Sequence, residues 1–222
     1  MSAVGELLQS ALMIVTLLVM NNLAAAYGDG PLAAMGVAVR IAQIPEFLIM
    51  GITLGVLPLL AYSYGKGDRS RLTSALRTSA YTVGGVALLF AVTVFLFCDQ
   101  VFTAFVTDRS VLAIGVSILT AQLVAMIANG FTGLIASLFQ AAGQALAATV
   151  MSVSQGVLFI PIVLLGNLWF GLTGIIWALT VTEGLVLLVG LALWLAFRRA
   201  IDFGLIQGSA QRADEVLEQV DA

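Results

Sequence analysis

Long runs of apolar residues follow one another along nearly the whole chain, and short polar segments separate them. A helix needs about 20 such residues to cross the apolar core of a bilayer. Six runs are long enough, and Gly, Pro and Asp residues that end helices lie in several of the segments between them. The pattern predicts six membrane-spanning helices, at residues 7–27, 34–64, 76–97, 111–139, 145–165 and 172–197.

The second run is longer than one crossing requires. Its length indicates that residues 33–44 lie at the interface or that the helix tilts strongly. Pro45 and Pro58 each remove a backbone hydrogen-bond donor, which predicts a kink at one or both. Gly55 and Pro58, together with Pro161 in the fifth run, are interpreted as hinge and packing residues.

The composition agrees with an all-α integral membrane protein. Of 222 residues, 61% are hydrophobic and only 9% are charged, whereas soluble domains carry about 25% charged residues. The chain has no histidine and one cysteine, Cys98, which removes the commonest metal ligand, the usual general base and any internal disulfide. Catalytic and phosphate-binding motifs are also missing. We therefore expect no enzyme activity, metal site, cofactor or nucleic-acid partner.

The charges outside the runs predict the orientation. The second and sixth runs are followed by basic clusters, formed by Lys66, Arg69, Arg71 and Arg77 and by Arg198 and Arg199. Segments on the opposite side contain mainly Asp29, Asp99 and Asp108. Because cytoplasmic loops carry an excess of Lys and Arg, we expect a multi-pass protein of the plasma (inner) membrane with cytoplasmic N- and C-termini.

Residues 209–222 are polar, and Asp214, Glu215, Glu218 and Asp221 outweigh Arg212. Such a composition predicts a frayed helix or a disordered tail, because it offers little apolar surface to bury. The chain is thus expected to consist of a six-helix transmembrane lobe at residues 1–199 and a polar cytoplasmic tail at residues 200–222.

Two acids within the predicted spans are candidates for the path of a substrate or an ion, since charges inside a bilayer are costly and are commonly functional. Glu183 lies near the middle of the sixth span. It is either a protonatable group of a cavity or a structural acid hydrogen-bonded between helices. Glu46, on the second span, is the other candidate for a substrate or proton role. Arg40 lies six positions before it, on another face of the helix.

The fourth span carries a line of polar and small residues: Gln122, Asn129, Gly133 and Gln140. At about 100° per residue, all four fall within about 20° of one line along the helix. Such a seam either lines a wet cavity or forms a contact between helices. On the fifth span, Gln144 and Gln155 are eleven positions apart and share one face in the same way.

Several motifs, in this order, resemble those of the multidrug and toxic compound extrusion (MATE) transporters. The Asn21–Asn22 pair and the Tyr27–Gly28 turn resemble the family's seventh helix and the loop after it. The segment from Gly55 to Arg69 resembles the end of the eighth helix, although Ser63 and Lys66 replace the usual Asn and Ala. The later motifs are Gln140–Ala–Ala–Gly143, Ser152 to Pro161 and Phe170 to Trp177, which resemble the turn after the tenth helix and the eleventh and twelfth helices.

The resemblance implies a six-helix bundle equivalent to the C-terminal lobe of a twelve-helix transporter, whose two lobes are related by a pseudo-two-fold axis. The partners implied are the lipid bilayer, a small organic substrate and a second six-helix lobe. That lobe is either the N-terminal half of a longer chain, which we expect, or a second half-size chain. The implied function is export of drugs or amphipathic compounds in exchange for H⁺ or Na⁺.

The resemblance also assigns site residues. Asn21 and Asn22 would line a cavity or gate, and Glu183 falls where the family often carries an acid. The carboxylate that some members place in the tenth helix has no equivalent here, because residues 111–139 contain no acid.

Two other functions are open. A flippase of a related fold, moving a lipid-linked saccharide, would need several basic groups in its cavity, and only Arg40 lies within a span. A non-transporting six-helix structural or channel subunit would need polar faces on several spans, and only the fourth clearly has one.

Overall fold

The computed structural model describes residues 3–97 and 109–221, and this part of the chain forms six α-helices. They are α1 (Ala3–Ala25), α2 (Asp29–Gly65), α3 (Arg69–Leu96), α4 (Arg109–Ala141), α5 (Ala145–Phe170) and α6 (Leu172–Asp221). The helices α2 to α6 are long and apolar enough to cross a membrane, and α1 is apolar over Ile14–Ala25. The predicted all-α membrane fold is therefore confirmed. The segment between the third and fourth predicted spans, with Asp99 and Asp108, lies outside the described residues.

The helix α2 is continuous over 37 residues. At 1.5 Å per residue it is about 55 Å long, well beyond the ~30 Å of the hydrocarbon core. Residues 33–44 therefore belong to the same helix as the span, and the excess length requires tilting or extension beyond the bilayer. Gly28, with a φ of 102°, precedes the helix in a conformation that glycine readily adopts.

A turn of three residues, 66–68, joins α2 to α3. The carboxylate of Asp68 accepts a hydrogen bond of 2.9 Å from the backbone N–H of Arg71 and so caps the start of α3. Because this cap lies well before the apolar run, Arg69, Arg71 and Arg77 lie on the first turns of a helix. The basic segment is thus mostly helical, whereas the sequence pattern predicts a loop.

The helix α6 continues past Arg198 and Arg199, where the sixth span is predicted to stop, and it runs unbroken through residue 200 to Asp221. Ile201 and Leu205 are buried against the ends of α2, α3, α4 and α5. These apolar residues hold the helix against the bundle beyond the two arginines. The division of the chain into a lobe and a cytoplasmic tail at residue 200 stays a prediction.

The helix α4 occupies the centre of the bundle, where it packs against α2, α3, α5 and α6. Two apolar clusters form the core. The first contains residues of all six helices, among them Met20, Ala38, Val83, Leu119, Phe159 and Ile175. The second surrounds Phe139 at the end of α4 and includes Leu60, Leu72, Met151 and Ile201.

Small residues allow the helices to approach one another closely, as is typical of membrane proteins. The positions at which a Cβ atom would collide with a neighbouring helix include Gly130, Gly156, Gly166 and Gly190. At Gly156, for example, a Cβ would lie only 2.6 Å from the Cβ of Leu12 on α1. At Gly55 it would meet no described atom within 4 Å. A packing role for Gly55 thus requires a partner outside the described residues, and this role stays a prediction.

Replacing glycine by alanine should have opposite effects at these two kinds of position. Within a helix, alanine is more favourable than glycine by about 0.5–1 kcal/mol. Gly55→Ala should therefore leave the protein unchanged or slightly more stable. Gly156→Ala should lower the melting temperature of the detergent-solubilised protein, because overpacking a helix contact costs about 1–3 kcal/mol. Equal melting temperatures for the two variants would contradict the α1–α5 contact.

Candidate functional site

Glu183 is the most deeply buried charged side chain among the residues whose burial is described. It lies on α6, and its side chain is only 2% exposed. Its Oε1 atom accepts a hydrogen bond from the Nε2 amide of Gln155 on α5. Its Oε2 atom has no hydrogen-bond partner in the described part of the chain. The site is therefore a carboxyl group with one oxygen held and the other open.

The packing of α5 against α6 sets this pairing. The two helices run antiparallel from the turn at Gly171, and Gly166 lies against Gly174, with the Gly174 carbonyl oxygen 2.9 Å from the position of a Gly166 Cβ. Gln155 is eleven residues before Gly166, and Glu183 is nine residues after Gly174. At 1.5 Å per residue both lie about 15 Å from the glycine contact and so at the same level.

Glu46 belongs to the same region. Its side chain is exposed on α2, next to the buried Pro45, and it lies near enough to Glu183 for the two carboxyl groups to repel each other when charged. Of the predicted site residues, Gln155 and Glu183 are thus in contact, and Glu46 lies within electrostatic range of Glu183. The sequence pattern places Gln155 on the same face of its helix as Gln144, but the hydrogen-bond partner of Gln155 is Glu183 on α6. Spacing within one helix could not predict this pair, because the level of α5 relative to α6 depends on the contact between Gly166 and Gly174.

This arrangement favours uptake of a proton or a small cation. An ionised carboxylate inside a bilayer costs about 2.5–3.5 kcal/mol on insertion scales, and a single amide donor compensates only part of that cost. A proton on Oε2, or a cation bound there, would remove the charge. Within the described ranges, no group of three or more His, Cys, Asp or Glu side chains could hold a metal ion.

The polar seam of α4 is only partly explained. Gly133 packs against α2, where a Cβ would lie 3.4 Å from Cγ2 of Thr53, and Ser137 donates a hydrogen bond of 3.5 Å to the Thr53 carbonyl oxygen. On the α6 side, the Thr180 hydroxyl donates to the Ala121 carbonyl oxygen at 2.7 Å. These bonds favour helix packing along α4 at Gly133. The pathway role of Gln122, which is buried, and of the half-buried Asn129 and Gln140 stays a prediction.

Asn21 and Asn22 are exposed near the end of α1, and Nδ2 of Asn22 donates to the Leu18 carbonyl oxygen of its own helix at 3.1 Å. Leu12 of α1 lies at the level of Gly156, which is next to Gln155, and thus at the level of Glu183. Asn22 is therefore about 15 Å further along the helix. The asparagines are separate from Glu183, and their gate role stays a prediction, as do the hinge roles of the exposed Pro58 and Pro161.

The exposed surface of α2 has two sides of different chemistry. One side, which we call the polar face, extends over about 120° of arc from Glu46 at one edge to Arg40 at the other, and it also contains Gln43, Phe47 and Met50. The other, the apolar face, contains Ile44, Leu48, Gly51, Gly55, Leu59 and Tyr62. Charged and amide groups are costly against lipid, so the polar face is suited to contact with protein or water and the apolar face to contact with lipid.

The fold and its buried acid are those of a multi-pass membrane transporter lobe, and comparison with known proteins specifies the family. The model of the MatE family matches residues 2–165. The chain belongs to this family, that of the MATE transporters.

Two curated relatives are multidrug export proteins called MepA. The chain is 34% identical to the one from Staphylococcus aureus strain MRSA252 over 184 residues, which are 83% of this chain and 41% of the relative. It is 35% identical to the one from Staphylococcus saprophyticus over 176 residues, which are 79% of this chain and 39% of the relative. The chain thus spans about two fifths of the length of these relatives.

Solved structures show the same fold. A MATE protein in the bent conformation superposes with a TM-score of 0.79 at 19% identity, over 93% of this chain and 46% of that one. The Vibrio cholerae MATE transporter VcmN in its bent form gives a TM-score of 0.77 at 20% identity, over 91% and 46%. The chain therefore corresponds to somewhat less than half of such a structure.

The hydrogen bond between Gln155 and Glu183 predicts an order of thermal stability among variants of these two residues. Gln155→Leu removes the amide donor and leaves the buried acid unpaired, which should cost about 1–3 kcal/mol. Glu183→Gln keeps an acceptor for Gln155 without the charge, and it should be at least as stable as the wild type. Melting temperatures in detergent test this order. A Gln155→Leu variant as stable as the wild type would show that the hydrogen bond is not formed.

The double variant Gln155→Leu/Glu183→Leu separates lost packing from the unpaired acid. Because both polar partners are then replaced by apolar groups, it should be more stable than Gln155→Leu alone. The reverse order would contradict the pairing.

Proposed function

We propose that the chain is the C-terminal six-helix lobe of a cation-coupled exporter, which moves drugs or amphipathic organic compounds out of the cell in exchange for H⁺ or Na⁺. Membership of the MatE family and the names of the MepA relatives support the export of drugs. The order of the sequence motifs, from Asn21–Asn22 to Phe170–Trp177, supports the assignment to the C-terminal lobe. The proposal contains no catalytic step and needs no cofactor.

The open oxygen of Glu183 carries the proposal for coupling. A group that exchanges one cation for another must be able to lose its ligand, and an oxygen without a fixed partner meets that requirement. Glu46 belongs to the polar face of α2, where its side chain is exposed, and it lies within electrostatic range of Glu183. A cation held at Glu183 therefore has a second, exposed carboxylate nearby.

The polar face of α2 supports a second lobe. Exposed to acyl chains, Arg40, Gln43 and Glu46 would be unfavourable. A second six-helix lobe, as the N-terminal half of a longer chain or as a separate half-size chain, would cover this face across a water-filled cavity. Phe47 and Met50, which are 65% and 53% exposed, would then give the cavity an adaptable apolar wall beside an acid. That combination suits an amphipathic cation.

The orientation follows from the basic clusters. Arg69, at the start of α3, forms an ion pair of 3.2 Å with Asp202, one turn after Arg198 and Arg199. The two clusters therefore lie at the same end of the bundle, which the positive-inside rule assigns to the cytoplasm. Both termini are then cytoplasmic, and Asp29 at the start of α2 faces outward.

The two alternative functions gain no support from the site. A flippase for a lipid pyrophosphate needs a basic cavity, but two acids and one arginine lie near the polar face. A channel needs a continuous polar path open to water, whereas the side chain of Glu183 is only 2% exposed.

Export is tested by the accumulation of ethidium in cells that lack their own pumps, with this chain produced together with an N-terminal lobe from the same source. The wild type should lower accumulation. Glu183→Gln should restore it to the level of cells with an empty vector, because the side chain can no longer lose a proton or neutralise the charge of a bound cation. Asp29→Asn, which removes an exposed acid outside the cluster, is the matched control and should export normally.

Two results would overturn parts of this proposal. Unchanged accumulation with wild-type protein present in the membrane would exclude export of this compound class. Normal export by Glu183→Gln, with an unchanged response to an imposed pH or Na⁺ gradient, would remove Glu183 from coupling.

Orientation is tested with single cysteines in a Cys98→Ser background. Asp29→Cys should react with a membrane-impermeant maleimide in intact cells, whereas Ser70→Cys, next to the α2–α3 turn, should react only after permeabilisation. The opposite labelling pattern would place the basic end outside.

A further inference from the structure

Two cations meet on one aromatic ring where α2 ends and α3 begins. The Nζ atom of Lys66 lies 4.5 Å from the centroid of the Tyr62 ring, and the guanidinium carbon of Arg71 lies 5.5 Å from the same centroid. Cation–π contacts favour both positions. They also bring two positive charges close together, and those charges repel each other.

The described residues supply no carboxylate that neutralises this pair. The nearby Asp68 directs its carboxylate to the backbone N–H of Arg71, where it caps the helix. Asp202 forms an ion pair of 3.2 Å with Arg69, and the described part of the chain shows no ion pair of Lys66 or Arg71. Lys66 and Arg71 thus form a site of two converging cations that no described carboxylate pairs with, and such a site is complementary to an anion.

The position of the site in the membrane indicates which anion fits. Tyr62 belongs to the apolar face of α2, which is suited to contact with lipid, and its side chain is 49% exposed. Tyrosine favours the level of the lipid headgroups. On the same face, one to three turns deeper into the membrane, come Leu59, Gly55 and Gly51. At both glycines a Cβ would meet no described atom within 4 Å, so the surface there is shallow and open.

We propose that Lys66 and Arg71 bind the phosphate of an anionic phospholipid in the adjacent leaflet, whose acyl chain lies along Leu59, Gly55 and Gly51. The planar guanidinium of Arg71 can hold two phosphate oxygens at once. Lys66 supplies a second charge, and the Tyr62 ring fixes both cations at headgroup level. The two glycines, at which a Cβ would meet no described atom within 4 Å, leave room for the chain. This site depends on the membrane fold but not on transport by the chain.

The test is native mass spectrometry of the full chain, released from detergent after addition of phosphatidylglycerol or phosphatidylcholine. Wild-type protein should retain phosphatidylglycerol in clear preference to phosphatidylcholine. The variant Lys66→Gln/Arg71→Gln should retain both lipids at the phosphatidylcholine level. The matched control, Arg77→Gln/Arg199→Gln, removes the same number of charges at the same end of the bundle but leaves the pair intact, and it should behave as the wild type.

Further variants keep the test decisive. Lys66→Arg/Arg71→Lys preserves both charges, and hence the orientation signal, and it should retain most of the preference. If Lys66→Gln/Arg71→Gln does not fold as judged by circular dichroism, Arg71→Gln alone should still weaken the preference. Gly55→Leu fills the open surface and should weaken retention of the lipid without changing its dependence on charge.

Three outcomes would overturn the proposal. The first is an unchanged preference for phosphatidylglycerol in Lys66→Gln/Arg71→Gln or, where that variant does not fold, in Arg71→Gln. The second is an equal loss in the matched control, which would assign the effect to general surface charge. The third is displacement of phosphatidylglycerol by millimolar inorganic phosphate, which would indicate a site for free phosphate.

Discussion

The contact between Gly166 and Gly174 fixes the level of α5 against α6, and the arrangement of the buried acid depends on it. The chemistry of the Gln155 and Glu183 side chains does not by itself determine that they pair, since either could bond to another polar group. They meet because two backbones without Cβ atoms touch about 15 Å away, and rigid helices carry that register to the membrane centre. If α5 shifted by one helical turn relative to α6, the carboxyl group of Glu183 would lose its hydrogen bond from Gln155. In the bilayer core no water is available to replace that bond.

The helix α2 has three surfaces of different composition: one packs in the core of the bundle, and the other two are the polar face and the apolar face. Small and apolar side chains such as Ala34, Ala38 and Ile49 face the core. The polar face and the apolar face divide the remaining circumference. A soluble amphipathic helix has two sides, a wet one and a buried one. This helix requires a third, because in a membrane the outside is itself apolar. Its polar residues consequently favour contact with protein or water over contact with lipid.

Much of the fold could be predicted from the sequence, because hydrocarbon thickness dictates the length of each apolar run and water-facing turns interrupt the runs. The ends of helices were less predictable. The start of α3 is set by the carboxylate of Asp68, and the continuation of α6 is set by the burial of Ile201 and Leu205 against other helices. Both effects come from contacts that a count of apolar residues does not contain.

The candidate site was predictable in part for a similar reason. The rarity of acids in spans singles out Glu46 and Glu183, because each would be costly without a function or a partner. Other features could be found only in the packed bundle. They are the hydrogen bond from Gln155 to Glu183 and the close helix contacts at Gly130, Gly156 and Gly190. Glycines inside apolar runs were the available signal for those contacts, since glycine is unfavourable in a helix unless something needs the space.

The unbroken course of α6 gives the molecule a mechanical property. Glu183 and Asp202 lie on the same helix, about 28 Å apart along its axis. A rod of that length converts a tilt of about 10° at the acid into a displacement of about 5 Å at Asp202. The exposed Arg69–Asp202 pair contributes little free energy, but Ile201 and Leu205 hold this end of α6 against the other helices. The buried acid and the basic end of the bundle thus belong to one rigid rod, and a tilt of that size would require those apolar contacts to separate.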